Sequence, residues 1–319
     1  MNTTAESCEE RVSGEPPSPR LLAPPELPPG GRTDAFWTRL ALLPAGTIAL
    51  VCFAGFAAWT VLISFTDSGL LPDYGFIGLH QYQRLFSSGR WWTTLRNLAI
   101  FGTVLLVGCT TLGYLLACLI DRRGGAPIAW GVVFILPLSV SFIVTGIVWQ
   151  WMLNPSTGLQ AVAHEIGWSG LRVDWLVRRD RSIFVVAIAG IWQQTGVSMI
   201  LFLAGMSGID HNIWRAATVD GIPAWRVYVT IIAPLLRHVF LLNTILLVAT
   251  IAKSFDLVLA LTGGGPGFAS DLPARFVVEH MFERQELALG ASGASVMMLT
   301  VLLGLSPYVY LRRARGESR

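Results

Sequence analysis

Six long apolar runs constrain this chain more than any other feature of its sequence. A helix needs about 20 apolar residues to cross the hydrocarbon core of a bilayer, and every run exceeds that length. The sequence therefore predicts an all-α membrane protein with six transmembrane helices. The predicted spans are residues 40–65, 95–120, 128–153, 183–206, 235–262 and 287–311. Pro137 lies inside the third run and predicts a kink there.

Composition agrees with a membrane protein. Of the 319 residues, 53% are hydrophobic and 13% are charged, whereas soluble domains carry roughly 25% charged residues. The net charge of +3 is small, which argues against a nucleic-acid partner. Lys253 is the only lysine, and the four cysteines form no secreted disulfide pattern. Three of them lie inside apolar runs, where a cysteine packs as a small hydrophobe.

The ends of the chain differ from its middle. Residues 1–38 are rich in Pro, Glu, Ser and Arg, a composition that predicts a disordered tail. They do not form a signal peptide, because the apolar run that follows is too long and lacks a convincing cleavage site. Residues 39–312 are predicted to form the transmembrane domain, and residues 313–319 a short basic tail.

Six spans place both termini on the same side of the membrane. Cytoplasmic loops carry an excess of Lys and Arg, so this side is predicted to be cytoplasmic. The arginines that share it are Arg122, Arg123, Arg215, Arg226, Arg312, Arg313 and Arg315. Four arginines in a loop on the opposite side reduce this asymmetry: Arg172, Arg178, Arg179 and Arg181.

A polar segment at residues 210–234 separates the fourth and fifth runs, and its local chemistry predicts a helix, a tight turn and a second helix. Asp210 suits an N-cap, Gly221 suits the left-handed residue that ends a helix, and Pro223 suits the first turn of the next helix. One face of the first helix carries Ile213, Ala216, Ala217 and Asp220. An ordinary loop between membrane helices remains the alternative interpretation.

Polar side chains inside the spans are the candidate ligand-binding residues, because such groups are costly within a membrane. Amide, hydroxyl and charged groups beside aromatic rings are typical of a sugar site. The same residue types also form hydrogen bonds between helices, and Lys253 and Asp256 are spaced to pair with each other. The candidates are Trp192, Gln193 and Gln194 in the fourth span, Thr250, Lys253 and Ser254 in the fifth, and Ser141 in the third.

Catalytic and metal-binding motifs are missing from the sequence. The only lysine follows Ala252 rather than a glycine-rich turn, so the chain has no P-loop. The five histidines are scattered, and no His-Glu-x-x-His, Cys-x-x-Cys or Gly-x-Ser-x-Gly occurs. We therefore predict no catalytic residue, no metal site and no cofactor on this chain.

The polar segment resembles the cytoplasmic coupling loop of ABC importer permeases. Their pattern is Glu-Ala-Ala, three residues, Gly, nine residues, then Ile-x-Leu-Pro. Here it is Arg215-Ala-Ala, three residues, Gly221, nine residues, then Ile231-Ile-Ala-Pro234, so Arg and Ala replace the usual Glu and Leu. The stretch from Phe255-Asp256 to Thr262-Gly-Gly-Gly-Pro266 also resembles the end of the fifth helix in maltose-type carbohydrate permeases. The resemblance covers residues 40–312.

The resemblance implies the pore-forming subunit of an ATP-driven sugar importer in a bacterial inner membrane. It implies a second permease subunit, two ATPase subunits that carry ATP and Mg²⁺, and an extracytoplasmic sugar-binding protein. It assigns ATPase coupling to Arg215, Ala216, Ala217, Asp220 and Gly221. It matches the candidate residues of the fourth and fifth spans to sugar-lining positions, with Leu138 and Ser141 nearest in the third.

Three alternatives remain open at this point. A transporter of the same class could carry glycerol phosphate or a polyamine, although the spans show few cations suited to a phosphate. An ion-coupled secondary transporter would need membrane carboxylates or internal repeats, for which Asp256 alone is thin support. A membrane-anchored enzyme would need a catalytic constellation that the sequence does not contain.

Overall fold

A computed structural model of the chain describes residues 32–121, 127–168, 170 and 174–316. Regular secondary structure in these residues is helical, with one isolated antiparallel bridge between Thr66 and Phe76. The chain forms two compact units, of which the first extends to Phe56 and the second begins at Ala57. The described part of the first unit is the beginning of the first helix. The second unit contains the remaining helices.

The helices follow one another along the chain with few long connections. In chain order they are α1 (Arg32–Ile63), α2 (His80–Ser87), α3 (Gly89–Asp121), α4 (Pro127–Ser139), α5 (Phe142–Met152), α6 (Leu159–Glu165), α7 (Ser182–Ser207), α8 (His211–Val219), α9 (Ala224–Arg226), a π-helix (Val227–Ile232), α10 (Ala233–Leu235), α11 (Arg237–Ala252), α12 (Asp256–Thr262), α13 (Pro273–Val278), a second π-helix (Glu279–Glu283) and α14 (Leu287–Gly316).

Both ends of the predicted transmembrane domain are helical for longer than the apolar runs indicated. Helix α1 begins at Arg32, after the last glycines and prolines of the tail, and it continues through Pro44. Helix α14 continues to Gly316, although Gly304 and Pro307 are poor helix formers. Residues 1–31, which form most of the predicted tail, lie outside the described residues, as do Arg122, Arg123 and Arg172.

Three described helices are long and apolar enough to cross a membrane, namely α1, α3 and α7. Two bent pairs of helices are also long and apolar enough when each pair is counted as one span, and α14 contributes a shorter apolar helix over Leu287–Leu303. The first bent pair joins α4 and α5 at 96°, and the second joins Ala224–Leu235 to α11 at 73°. This arrangement confirms the helical membrane fold that the apolar runs predict.

The kink predicted at Pro137 is wrong in position. Pro137 lies within α4, and the chain turns three residues later, at Val140 and Ser141. Ser141 has an extended backbone, and its hydroxyl oxygen accepts a 3.3 Å hydrogen bond from the Ile143 N–H. The serine therefore caps a new helix, and this cap sets the point at which the span breaks.

The fifth span is also interrupted, although the sequence predicted a continuous run. Helix α11 ends at Ala252, and α12 begins at Asp256. The Ser254 hydroxyl donates to the Thr250 carbonyl at 2.8 Å, and the Phe255 N–H donates to the Lys253 carbonyl at 2.8 Å. These local bonds replace the helical ladder over three residues.

Helices α3 and α7 form the centre of the second unit. A side-chain carbon at Gly113 of α3 would contact Ser198 of α7, and one at Gly190 of α7 would contact Leu105 of α3. Small residues let helix backbones approach closely. The two helices consequently pack along much of their length, with Phe101, Leu105 and Val186 fully buried in one apolar cluster.

An ionic network joins the start of α3 to the segment between α12 and α14. Arg90 contacts the buried Asp271 at 2.7 Å and Glu279 at 2.8 Å. Arg275 contacts the same two carboxylates at 3.3 and 3.0 Å, and Arg284 contacts Glu279 at 2.8 Å. Because the charges share hydrogen bonds and are mostly buried, loss of one partner would leave the others uncompensated.

Candidate functional site

The breaks in the third and fifth spans meet at one small cavity of about 110 Å³. The third span contributes the residue that follows its break, and the fifth span contributes residues on both sides of its own. The lining residues are Phe142, Thr250, Lys253, Ser254, Asp256 and Leu257. Interrupted helices of this kind expose polar backbone and side-chain groups within a membrane. The cavity is therefore our candidate ligand site.

The lengths of the helices place both breaks well inside a span. Helix α4 has 13 residues and α11 has 16, which correspond to about 20 and 24 Å at about 1.5 Å per residue. The hydrocarbon core is about 30 Å thick. Both helices are therefore too short to cross the hydrocarbon core before they break.

Two opposite charges lie in this cavity without pairing. Lys253 and Asp256 are both exposed, and neither forms an ion pair with a described residue. Lys253 occupies the C-cap of α11, where the negative end of the helix dipole favours a cation. Asp256 lies in the first turn of α12, where a carboxylate is favoured. The pairing that their spacing allowed is not formed.

Gln193 stabilises the break in the third span from the neighbouring helix α7. Its side-chain amide donates a 2.6 Å hydrogen bond to the Val140 carbonyl, which the break removes from the helical ladder. The Oε1 atom of Gln193 and the Oγ1 atom of Thr145 are buried without a hydrogen-bond partner among the described residues. Buried polar atoms of this kind are usually satisfied. The Gln193 oxygen can accept a hydrogen bond from a bound molecule or water, and the Thr145 hydroxyl can donate or accept one.

The remaining sequence-predicted residues lie near these elements but do not line the cavity. Trp192 is 45% exposed, and its ring packs edge-on against Trp149 with centroids 6.2 Å apart. Gln194 is buried, and Ser141 is exposed at the cap of α5. Of the seven predicted residues, the cavity brings together three: Thr250, Lys253 and Ser254.

Sequence reasoning missed the aromatic and apolar walls of the cavity. Phe142 lines it because it is the first residue of α5. Ser141, four residues after Pro137, is the local indication that a helix starts there. Leu257 follows Asp256 in α12, and no pattern distinguished it from other leucines.

The polar segment forms the predicted helix, turn and helix. Asp210 caps α8 by accepting a 2.9 Å hydrogen bond from the Asn212 N–H, and Gly221 adopts φ +67°. Pro223 precedes α9 as its N-cap, one residue earlier than predicted. Along α8, Ala217 is buried, whereas Arg215, Ala216, Asp220 and the following Gly221 are exposed.

The exposed side of this segment is partly apolar. Val219 is 87% exposed and Trp225 is 62% exposed, and the Arg226 guanidinium lies over the Trp225 ring at 5.6 Å. Together with Arg215 and Ala216, these residues form a surface that combines apolar and basic groups. We call this surface, together with the neighbouring exposed residues Asp220 and Gly221, the coupling surface.

Comparison with known proteins places the chain in a family. The profile of the family described as binding-protein-dependent transport system inner membrane component matches residues 128–315. A probable ABC transporter permease of Pyrococcus horikoshii is 34% identical over 283 residues, covering 88% of this chain and 96% of the relative. The xylose/arabinose import permease of Haloferax volcanii is 33% identical over 293 residues, covering 89% of each chain.

A solved structure shows the same fold. It is the bacterial alginate ABC transporter in complex with an alginate pentasaccharide-bound periplasmic protein. The match has a TM-score of 0.72 at 20% identity and covers 86% of this chain and 96% of the other. The chain belongs to the inner-membrane component family of binding-protein-dependent transport systems and is a multi-pass, pore-forming permease subunit of such an importer.

Proposed function

We propose that this subunit forms the pore of an ATP-driven sugar importer together with a second permease subunit. The observation that carries the proposal is the cavity where two helix breaks meet, with an ammonium, a carboxylate, hydroxyls and a phenyl ring around it. Hydroxyl-rich ligands need paired donors and acceptors, and sugar rings stack on aromatic faces. The xylose/arabinose relative supports a sugar as the substrate.

Each wall of the cavity has a distinct role in this proposal. The Lys253 ammonium donates to sugar hydroxyls, the Asp256 carboxylate accepts from them, and the Phe142 ring packs against the sugar ring. The charges of Lys253 and Asp256 balance, so the lining lacks the excess of cations that would favour an anionic substrate. The further proposed sugar contacts are Trp192, Gln193, Gln194, Thr250, Ser254 and Ser141.

Energy is supplied by partners in this proposal, because the sequence of this chain contains no P-loop motif. Two copies of an ABC ATPase hold ATP and Mg²⁺ and receive the coupling surface on the cytoplasmic side, where both termini of this chain also lie. ATP binding closes the ATPase dimer and moves α8, which switches the two permeases between inward-open and outward-open states. A ligand shifts such an equilibrium only through differential affinity. The loaded binding protein must therefore favour the outward-open state.

The first test isolates the chain from membranes in mild detergent and identifies its companions by mass spectrometry. A second six-span chain and a P-loop ATPase are expected. Recovery of the chain alone would remove the proposed energy source. It would favour an ion-coupled carrier, with Asp256 and Lys253 as the first residues to change.

The second test measures uptake of radiolabelled xylose, maltose and glycerol 3-phosphate by the reconstituted complex. Uptake of a neutral sugar is expected, and preferred uptake of glycerol 3-phosphate would contradict the assignment. Lys253→Met and Thr250→Val should each raise the KM of the transported sugar. Thr244→Val is the matched control, because Thr244 and Thr250 both donate to a carbonyl of α11 at 2.9 and 3.0 Å, but only Thr250 lines the cavity.

A further inference from the structure

Tyr228 is attached to α3 at two points. Its backbone carbonyl accepts a 2.7 Å hydrogen bond from the Tyr114 hydroxyl, and its own hydroxyl donates to Asp121 Oδ2 at 2.8 Å. Tyr114 and Asp121 are seven residues apart on α3, which is two turns, or about 10 Å, along one face of the helix. One residue of the polar segment is thus held to the second span through both its main chain and its side chain.

The same tyrosine contacts the helix that carries the coupling surface. The rings of Tyr228 and Trp214 meet edge-on with centroids 5.2 Å apart, at an interplanar angle of 61°. Trp214 belongs to α8, and Ala217 of α8 is buried in the same apolar cluster as Tyr228. Tyr228 is therefore the residue at which α8 and the inner end of α3 come together.

The backbone around Tyr228 is a π-helix, and a cavity lies beside it. The π-helix covers Val227–Ile232, and the Tyr228 carbonyl also accepts from the Ala233 N–H. π-Helical turns are rare and frequently occur at functional sites. A cavity of about 500 Å³ is lined by Asp121, Trp214 and Tyr228, among others. The two rings therefore have free space next to them, while hydrogen bonds fix the ends of Tyr228.

From α3 the contacts continue to the candidate sugar site. Gly113 of α3 packs directly against Ser198 of α7, and Gly108 packs against Ile191. Helix α7 carries Gln193, whose amide holds the Val140 carbonyl at the break of the third span. A displacement of α3 would consequently move α7 and with it the break of the third span, because closely packed helices cannot shift independently.

We propose that the Tyr228–Asp121 hydrogen bond is a positioning contact that couples movement of α8 to the second span and so ties ATP hydrolysis to transport. The inference rests on the proposed function, in that it needs an ATPase acting on α8. Tyr228 and Asp121 belong neither to the coupling surface nor to the proposed sugar site, so this role is additional to both. The hydroxyl of Tyr228 is the essential group, since the ring alone would still contact Trp214.

The test is the ratio of ATP hydrolysed to sugar imported, measured in proteoliposomes with the complete transporter and its loaded binding protein. Tyr228→Phe and Asp121→Ala should each raise the ratio at least threefold. The double variant should raise it no further than either single change, because both remove the same bond. Asp121→Asn keeps an acceptor oxygen and should stay within twofold of the unchanged protein. Thr111→Val, which removes an exposed hydroxyl bonded within α3, is the control.

Contrary results are readily distinguished. An unchanged ratio in Tyr228→Phe, or effects of the two single changes that multiply in the double variant, would overturn the inference. Poor assembly of Tyr228→Phe with a normal ratio in the assembled fraction would also overturn it, because the contact would then be structural only. If the unchanged complex shows no ATPase activity stimulated by the binding protein, the proposed function fails instead.

Discussion

The side-chain amide of Gln193 lies 2.6 Å from the Val140 carbonyl oxygen and holds the break of the third span against α7. Gln193→Leu would leave this carbonyl without its donor, at a cost of about 1–3 kcal/mol. Thermal unfolding of the purified subunit in detergent should therefore occur at a lower temperature. Ser207→Ala is the control, because the exposed Ser207 hydroxyl donates to the Leu203 carbonyl within α7 at 3.0 Å. Equal melting temperatures for the two variants would contradict this account.

Gly196 permits the close approach of α7 and α4. A side-chain carbon there would overlap the Phe134 carbonyl oxygen, and a backbone oxygen cannot move away as a flexible side chain can. Gly196→Ala should sharply reduce the yield of folded protein in membranes, measured by detergent extraction and size-exclusion chromatography. Gly131→Ala, in a position on α4 with no atom within 4 Å of the added carbon, should leave the yield unchanged. A normal yield for both would refute the packing argument.

The ionic network at the start of α3 should contribute more to the free energy of unfolding than the exposed ion pair between Arg84 and Glu286. Arg90→Met leaves Asp271 and Glu279 without a main partner, and breaking a buried pair costs about 3–5 kcal/mol. Arg84→Met removes an exposed pair with Glu286, whose side chains are 44% and 36% exposed, and should cost about 0–1 kcal/mol. Denaturant titration of both variants measures the difference. Similar losses would show that burial does not set the strength of this network.

The stability of the same network should depend on pH. Hydrogen bonds from Arg90 are the main reason that the pKa of Glu279 falls from 4.5 to about 2. Because the folded pKa lies below the unfolded one, the carboxylate stabilises the fold fully above about pH 4.5, and this contribution is lost as the pH falls towards 2. Melting temperatures recorded between pH 6 and pH 3, values chosen to span this window, should fall less steeply for Glu279→Gln. Glu283→Gln, on the same π-helix, should retain the slope of the unchanged protein.

Arg215 occupies the position where the coupling motif usually has Glu, so the partner ATPase is expected to present an acidic or neutral group there. Arg215→Glu should weaken coupling and lower uptake, whereas Arg215→Lys should retain most of it. Uptake by the reconstituted complex checks both. Unchanged transport by Arg215→Glu would exclude a charged contact at this position.

Local chemistry predicted much of the fold. The apolar runs located the spanning helices, and Asp210 and Gly221 take the capping and turn roles that their side chains suggest. The breaks were harder to predict. A proline is a recognised cause of helix kinks, so the kink was predicted at Pro137, whereas a serine such as Ser141 is found in many positions besides helix caps. At the second break, Lys253-Ser254-Phe255 contains neither proline nor glycine. The helix stops there through local bonds of Ser254 and Phe255 that no sequence pattern announces.

The long-range contacts were beyond sequence reasoning. Arg90 is 181 residues from Asp271 and 189 from Glu279, and Tyr228 is 107 residues from Asp121. No local periodicity relates such positions. Among the ion pairs of the network around Glu279, the sequence spacing could suggest only those of Arg275. Asp271 and Glu279 each lie four residues from it. The cavity could not be predicted from local sequence for the same reason, since its lining residues come from two separate spans.

The solitary lysine of the chain stands at the helix break, within the proposed path of the sugar. Its side-chain amine can carry a fluorophore without engineered cysteines, because no other lysine in this subunit competes for an amine-reactive reagent and an N-terminal amine on the cytoplasmic side is out of reach of a reagent added from outside. Such a reagent, added from outside and unable to cross the lipid, reaches Lys253 only while the outer entrance is open. The labelling rate of Lys253 with and without ATP would then show in which of the two conditions the outer entrance of the pore is open more often.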